Sequence, residues 1–366
     1  MNAEHFFEQI QKHFELGLPF ACFSKSGKLK AYLQSDDNLN LLEDFQSSGF
    51  VFCPFTSHHS KVIFPSKYSK VLNSKLIIEE SQILKNRFKI HQDDKTKHLN
   101  LVGKAINQIK YSDLKKVICS RKIKVSSEVH SLDIFKNLGL SYPEAYSYCW
   151  FHPKIGLWLG ATPEQFLLIE RNQLKTVALA GTIDAEKHPE PEWSEKEIEE
   201  QQMVTDFVVK ALKTSTKDLV ISPTETVRAG RLWHLKTLIT SKVEKDKLKN
   251  IIESLHPTSA VCGLPKTLAE AFIINNETYD REYYTGFLGE LNVKQEIKRN
   301  NSLKNQEQSA IKSIRTFTDL HVNLRCMKKS GDDLEIFVGG GITKDSQPEA
   351  EYEETVSKSQ TLLNVL

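Results

Sequence analysis

The chain lacks the features that would commit it to several large classes of protein. Its six cysteines (Cys22, Cys53, Cys119, Cys149, Cys262, Cys326) include no CxxC pair, and none is clustered with histidine. Most lie inside apolar runs, which suits buried thiols better than disulfides or a zinc site. Charge of one sign is not in excess: 49 Lys and Arg against 47 Asp and Glu leave a net +2. A nucleic-acid surface would need a concentrated basic face, so that role is not expected. No apolar run approaches the length of a membrane span. Met1–Glu8 is polar and has no apolar core, so no signal peptide is expected and the location expected is cytoplasmic. There is no internal repeat and no low-complexity linker.

What is present is enough apolar material for a substantial core, 39% of 366 residues. Length alone allows two ordinary domains or one large one. The first residues, about 5–15, read as an amphipathic helix, followed by strands at Phe20–Ser24, Leu29–Leu33 and Phe50–Pro54. From Ser66 to Lys97 the chain is polar and basic, and surface loops with one short strand are expected; Leu99–Ile109 has helical apolar spacing. Short strands follow at Val117–Val125, Ala145–Phe151, Ile155–Gly160, Phe166–Glu170 and Leu174–Ala180. Helices are expected over Glu195–Lys213, Lys247–Leu255 and Lys266–Ile274. Strands at Tyr284–Val293, Phe317–Met327 and Leu334–Val338 precede a C-terminal helix, with a polar surface loop at 294–313. Turns as short as Glu170–Gln173 imply largely antiparallel sheets. The fold class expected is α+β: one large unit with strands in the core and helices outside.

Several residues stand out chemically. Near the C-terminus the strand ending at Val338 runs into Gly339–Gly341, read as a glycine loop that lets the backbone approach a ligand. On the helix after Pro348, Glu351, Glu354 and Lys358 are spaced i, i+3, i+7 and share one stripe, which suits either a cation with an anionic ligand or an ordinary acidic helix start. The helix at Glu195 opens with a capping box, Ser194 and Glu197, and a staple expected between Trp193 and Ile198. Glu200 extends that helix's apolar face (Val204, Phe207, Val208, Ala211), where a carboxylate is paired, protonated or metal-bound if the site is dry. Lys116 opens the apolar strand KVICSR, where an inward ammonium would be pushed toward a usable base by desolvation or else be a basic strand entry. Glu164 follows a proline in the turn LGATPEQ, and Gly181 ends an apolar run in ALAGTI. Arg325 closes the expected strand HVNLRC and suits bidentate binding of a carboxylate. His234, between Trp233 and Leu235, would by itself be an ordinary core histidine.

Taken together and in order, KVICSR, LGATPEQF, ALAGTI, SEKEIEEQQMV, LWHL, HPTSAVCGLPK, YDREYYTGFLGE, VNLRC, FVGGGI and EAEYEETVSK resemble the chorismate-binding enzyme family. That family comprises isochorismate synthases, salicylate synthases, and the large subunits of anthranilate and aminodeoxychorismate synthases. The resemblance covers residues 98–366, the expected catalytic region; residues 1–97 match no motif strongly and are expected to belong to the same unit. It implies Mg²⁺ held by Glu200 and Glu354 with Glu351 assisting. It also implies that Arg325, Lys358 and the backbone at Gly181 and Gly339 hold the carboxylates of chorismate. His234 would lie near the leaving hydroxyl, Lys116 would activate water, and Glu164 would protonate the departing hydroxyl.

Three positions place the chain within that family. Ala180 stands where aminodeoxychorismate synthases carry a nucleophilic lysine, and Cys262–Lys266 reads CGLPK where ammonia-using branches carry a G-A-P-K signature. Lys116 itself is the third mark. The reading that follows is an isochorismate synthase, with a salicylate synthase as the alternative and an anthranilate synthase subunit behind it. No glutaminase partner is expected, and the product is expected to serve menaquinone or siderophore synthesis.

Overall fold

The computed structural model describes residues 1–76, 88–186, 188–229, 232–298 and 312–366. The first strands are β1 (Phe20–Lys25), β2 (Lys28–Gln34), β3 (Gly49–Cys53), β4 (Val62–Pro65), β5 (Ser69–Lys75) and β6 (Phe88–Asp93). The middle of the chain supplies β7 (Lys116–Ser127), β8 (Tyr146–His152), β9 (Gly156–Thr162), β10 (Gln165–Glu170) and β11 (Gln173–Asp184). Then come β12 (Lys217–Ile221), β13 (Glu225–Ala229), β14 (Leu232–Lys242), β15 (Gly263–Leu264) and β16 (Phe287–Lys298). The last three are β17 (Lys312–Val322), β18 (Cys326–Ser330) and β19 (Asp333–Ile342). Helices α1 (Ala3–Glu15), α2 (Lys95–Tyr111), α3 (Ser131–Ser141), α4 (Glu195–Lys213), α5 (Leu248–Leu255) and α6 (Lys266–Asn276) alternate with them, and a C-terminal helix spans Pro348–Leu363. Among the described residues no helix is long and apolar enough to cross a membrane.

Two antiparallel sheets organise the molecule. The first runs β15-β7-β19-β18-β9-β8-β1-β2-β5 with β6 also on β7; the second runs β12-β14-β11-β10-β17-β16-β3-β4 with β13 also on β14. Period-two alternation explains how they meet. On β8, Tyr146, Tyr148 and Trp150 enter an aromatic cluster with Phe50, Phe52 and Phe64 of the second sheet. Cys149, on the opposite face of β8, enters a separate cluster with α1 and α3 residues such as Phe6, Ile10 and Leu138. Phe52 stacks between Trp150 at 4.4 Å and Tyr283 at 4.5 Å, so the inter-sheet layer is glued by large rings. Val204, Val208 and Leu212 of α4 pack with Ile251, Ile252 and Leu255 of α5 on the far side of the second sheet. Strands lie inside and helices outside, as the sequence pattern implied. All six cysteines are buried free thiols.

Several details differ from the sequence reading. The expected strand Phe317–Met327 is two strands in two sheets, β17 and β18, because the chain turns at Arg325, whose φ is +47°. Alternation continues across that break in the sequence, so hydropathy alone could not reveal it. Gly339–Gly341 are not a loop; they belong to β19 and pair with Ser120, Cys119 and Ile118 of β7. The polar stretch 294–313 is strand at both ends, through Lys298 and again from Lys312, while its centre, 299–311, falls outside the described residues. Within 66–97 there are two strands, β5 and β6, where one was expected. Helix α3 and strands β12 to β14 were not anticipated. The capping box at α4 forms, with the Ser194 backbone N–H donating to Glu197 Oε2 at 3.0 Å, but Ile198 is 53% exposed and Trp193 lies over Gly181 instead.

Candidate active site

The chain passes directly from the first sheet to the second at Pro163–Glu164, between β9 and β10. It passes back at Asn323–Arg325, between β17 and β18. These two crossings run side by side: the Val322 N–H donates to Glu164 O at 3.0 Å and the Ala161 N–H to Arg325 O at 3.0 Å. Glu164 and Arg325 are therefore delivered to one place by the topology itself. Arg325 accepts a left-handed backbone there, a conformation uncommon for a residue with a Cβ.

From the first sheet come Lys116 and the glycine strand. Lys116 is 5% exposed, and its Nζ donates to Glu200 Oε1 of α4 at 2.5 Å. A lysine so buried needs a partner, and Glu200, the half-buried carboxylate on the apolar stripe of α4, is it. Neither member was expected to hold the other. The space for the lysine is made by Gly341: a Cβ there would stand 3.0 Å from Lys116 Cε and 3.6 Å from its Nζ. On the adjacent position, a Cβ at Gly340 would stand 3.3 Å from Glu351 Oε2 and 3.9 Å from Glu354 Oε1. The two helix carboxylates thus converge on bare backbone. Lys358 pairs with Glu354 and donates to Gly339 O at 3.0 Å, and Arg325 Nη1 donates to Lys358 O at 3.1 Å.

From the second sheet come Gly181 and His234. Gly181 lies at a register shift of β11 against β14, with φ +71° and the Trp193 ring where a Cβ would be. Its carbonyl accepts from His234 Nδ1 at 2.8 Å, which fixes the proton on Nδ1 and leaves Nε2 as an acceptor. Burial lowers the His234 pKa, and the charges of Lys358 and Arg325 lower it further against the opposing effect of the Gly181 hydrogen bond. The ring is neutral at physiological pH.

Glu164 behaves in the opposite way to the paired acids. The residue keeps some exposure, but its carboxyl end lies among protein atoms, and this desolvation raises its pKa to about 7. Lys116, Lys358 and Arg325 pull it down without offsetting the burial. All ten residues singled out from sequence, Lys116, Glu164, Gly181, Glu200, His234, Arg325, Gly339, Glu351, Glu354 and Lys358, are thereby linked by contact or by field into one site. Tyr284 was missed: its hydroxyl would lie 2.9 Å from a Cβ at Gly339, and burial pushes its pKa up, so the hydroxyl stays protonated. The motif YDREYYTGFLGE contained it, but nothing in its spacing separates Tyr284 from the structural Tyr283 beside it.

As the side chains stand, no three His, Cys, Asp or Glu residues form a metal cage among the described residues. The donor set nonetheless suits Mg²⁺, which uses a few carboxylates and keeps water. Glu351 and Glu354 meet at the Cβ-free Gly340, and two carboxylates drawn to one point favour a cation between them.

The same arrangement of two sheets occurs in solved structures. The protein aligns with a putative 2,3-dihydroxybenzoate-specific isochorismate synthase, DhbC, from Bacillus anthracis at TM-score 0.76 and 21% identity, covering 97% of this chain and 98% of that one. It aligns with the menaquinone-specific isochorismate synthase MenF from Escherichia coli at TM-score 0.73 and 20% identity, covering 95% and 89%. Residues 59–297 match the family model described as chorismate binding enzyme, and residues 312–364 match a second model of the same description. The chain belongs to the family of chorismate-binding enzymes. In sequence it is 27% identical over 286 residues to isochorismate synthase MenF of E. coli (strain K12), covering 75% of this chain and 61% of the relative. It is 25% identical over 289 residues to isochorismate synthase DhbC of Bacillus subtilis (strain 168), covering 73% and 67%. The chain thus spans about three-fifths of the E. coli MenF sequence, 61%.

Proposed function

We propose that the protein is an isochorismate synthase, converting chorismate to isochorismate by adding water at C2 while the C4 hydroxyl leaves. The observation that carries this reading is the pairing of a buried base candidate, Lys116, with a carboxyl held protonated up to about pH 7, Glu164, in one site. Water is a poor nucleophile and hydroxide a poor leaving group, so the exchange needs a base and an acid at once. Lys116 takes a proton from the attacking water, and Glu164 gives its proton to the departing hydroxyl, which leaves as water. Both ring double bonds shift by one position as the new C–O bond forms at C2 and the C4–O bond breaks, and the two residues exchange roles in the reverse direction.

The remaining groups bind and orient. Arg325, Lys358 and the backbone at Gly181 and Gly339 hold the two carboxylates, and neutral His234 accepts a hydrogen bond near the leaving hydroxyl. Glu200 and Glu354, with Glu351, would hold Mg²⁺, which when bound supplies a Lewis-acid anchor for a substrate carboxylate. The 27% identical relative named isochorismate synthase MenF supports the same branch. A cytoplasmic location and independence from a glutaminase subunit belong to this reading. Incubation with chorismate and Mg²⁺, followed by product identification by NMR, tests it. Isochorismate is expected. Salicylate with pyruvate would assign the chain to the salicylate synthases, and anthranilate made from ammonium would contradict water as the nucleophile.

A further inference from the structure

Beneath Lys116 lies an ion pair that takes no part in the proposed reaction. Arg281 is 2% exposed, and the Glu277 side chain is 2% exposed. Nε and Nη2 of Arg281 donate to the two oxygens of Glu277 at 2.8 and 2.6 Å, a fork-to-fork pair. Its other donors go to Ile118 O at 2.8 Å, Val261 O at 2.9 Å and Thr285 Oγ1 at 3.3 Å. All five N–H donors of the guanidinium are used. Glu277 Oε1 in turn accepts from the backbone N–H and the hydroxyl of Ser120 at 2.9 and 2.7 Å.

Ile118 and Ser120 are the second and fourth residues after Lys116 on β7. Val261 precedes the segment Cys262–Leu264, which pairs with β7 beside Lys116. Ile118 N donates to Cys262 O at 2.9 Å and Lys115 N to Leu264 O at 2.7 Å, and Leu264 sits opposite Lys116 in the β15–β7 register. One guanidinium therefore ties β7, at Ile118, to the stretch that leads into β15, at Val261, and the β15–β7 pairing sets where the Lys116 backbone lies. From this geometry we propose that Arg281, braced by Glu277, is a positioning residue for Lys116. It fixes the edge pairing of β7 with β15 and so the reach of the lysine into the site. The proposal rests on the reading of Lys116 as the base.

Lysine at position 281 keeps the charge but has no planar fork and too few donors for these five bonds. The test combines amide hydrogen exchange of Arg281→Lys with chorismate kinetics per folded molecule. Exchange at Lys115 and Ile118 is expected to accelerate on the order of tenfold, while strands β1, β2 and β8 stay as in the wild type. Turnover is expected to fall on the order of tenfold or more with the KM for chorismate little changed, because displacement of a reacting group by about 1 Å weakens catalysis before binding. A merely structural residue would lower the folded fraction without moving kcat per folded molecule. Glu277→Gln, which removes the counter-charge but keeps two hydrogen-bonding atoms, is expected to lie between Arg281→Lys and wild type. Unchanged exchange at Lys115 and Ile118, or accelerated exchange with unchanged kcat, would overturn the proposal. A wild-type protein inert toward chorismate would count against the proposed function rather than the brace, since exchange reads the brace without substrate.

Discussion

The two sides of the site treat charge in opposite ways. On the side of the first sheet two buried charges have partners at bonding distance: Lys116 has Glu200 at 2.5 Å, and Arg281 has Glu277 at 2.6 Å. On the side where the chain crosses to the second sheet, Glu164 is desolvated, and the three cations around it do not prevent its pKa from rising to about 7. The same low dielectric therefore has two outcomes. A buried charge with a close, well-oriented partner has its burial offset, and a carboxyl without one has its pKa raised. In this fold the difference follows from position. Lys116 opens β7 facing a helix that carries an acid, whereas Glu164 sits at the turn between β9 and β10, its backbone held by hydrogen bonds to Thr162 and Val322.

The comparison breaks most visibly if either member is removed. Lys116→Ala and Glu164→Gln are each expected to lower chorismate turnover on the order of 10²-fold or more in both directions. Lys116→Ala leaves Glu200 unpaired, so its thermal stability is expected to fall as well, while Glu164→Gln replaces a neutral acid by a neutral amide and is expected to melt near wild type below about pH 4.5. Turnover of either variant in both directions, compared with circular dichroism melts, separates the chemical loss from the structural one.

A smaller effect reads the asymmetry through stability. The Glu164 carboxyl has its pKa raised from 4.5 to about 7 on folding. The folded protein therefore holds the proton more tightly than the unfolded chain, and this contribution is complete below about pH 4.5. It is lost as pH rises toward 7, at no more than about 1.4 kcal/mol per unit and roughly 1–3 kcal/mol in all. Urea unfolding of wild type and Glu164→Gln between pH 5 and 8 is expected to show wild type losing stability relative to the variant. The activity limb has the same sign, because the acid needed for the hydroxyl disappears above about pH 7.

Much of this was legible in the sequence, and the parts that were not have physical reasons. The α4 boundaries, Glu195–Lys213, were readable because a capping box and an apolar stripe both act locally. The stripe on the C-terminal helix was readable for the same reason, and its Glu354–Lys358 pair forms. The break at Arg325 was hidden, because a chain that leaves one sheet and enters another keeps its period-two pattern. The glycines at 339–341 misled in the other direction. Three in a row suggest a loop, yet they are strand residues whose missing side chains make room for Lys116 and for Glu351 and Glu354. The Lys116–Glu200 contact joins residues 84 positions apart, and no spacing rule reaches that far. Arg281 was visible only as part of a motif, since what matters is which carbonyls its guanidinium meets.

The central claim, that one carboxyl in this site stays protonated near neutrality beside buried cations, is open to direct titration. Infrared difference spectra of wild type minus Glu164→Gln, with ¹³C-labelled glutamate, isolate the C=O stretch of the protonated Glu164 carboxyl. The band is expected to persist at pH 6 and to give way to carboxylate with a midpoint near pH 7. A midpoint below about pH 5, in the ordinary glutamate range, would contradict the account and leave the departing hydroxyl without its acid.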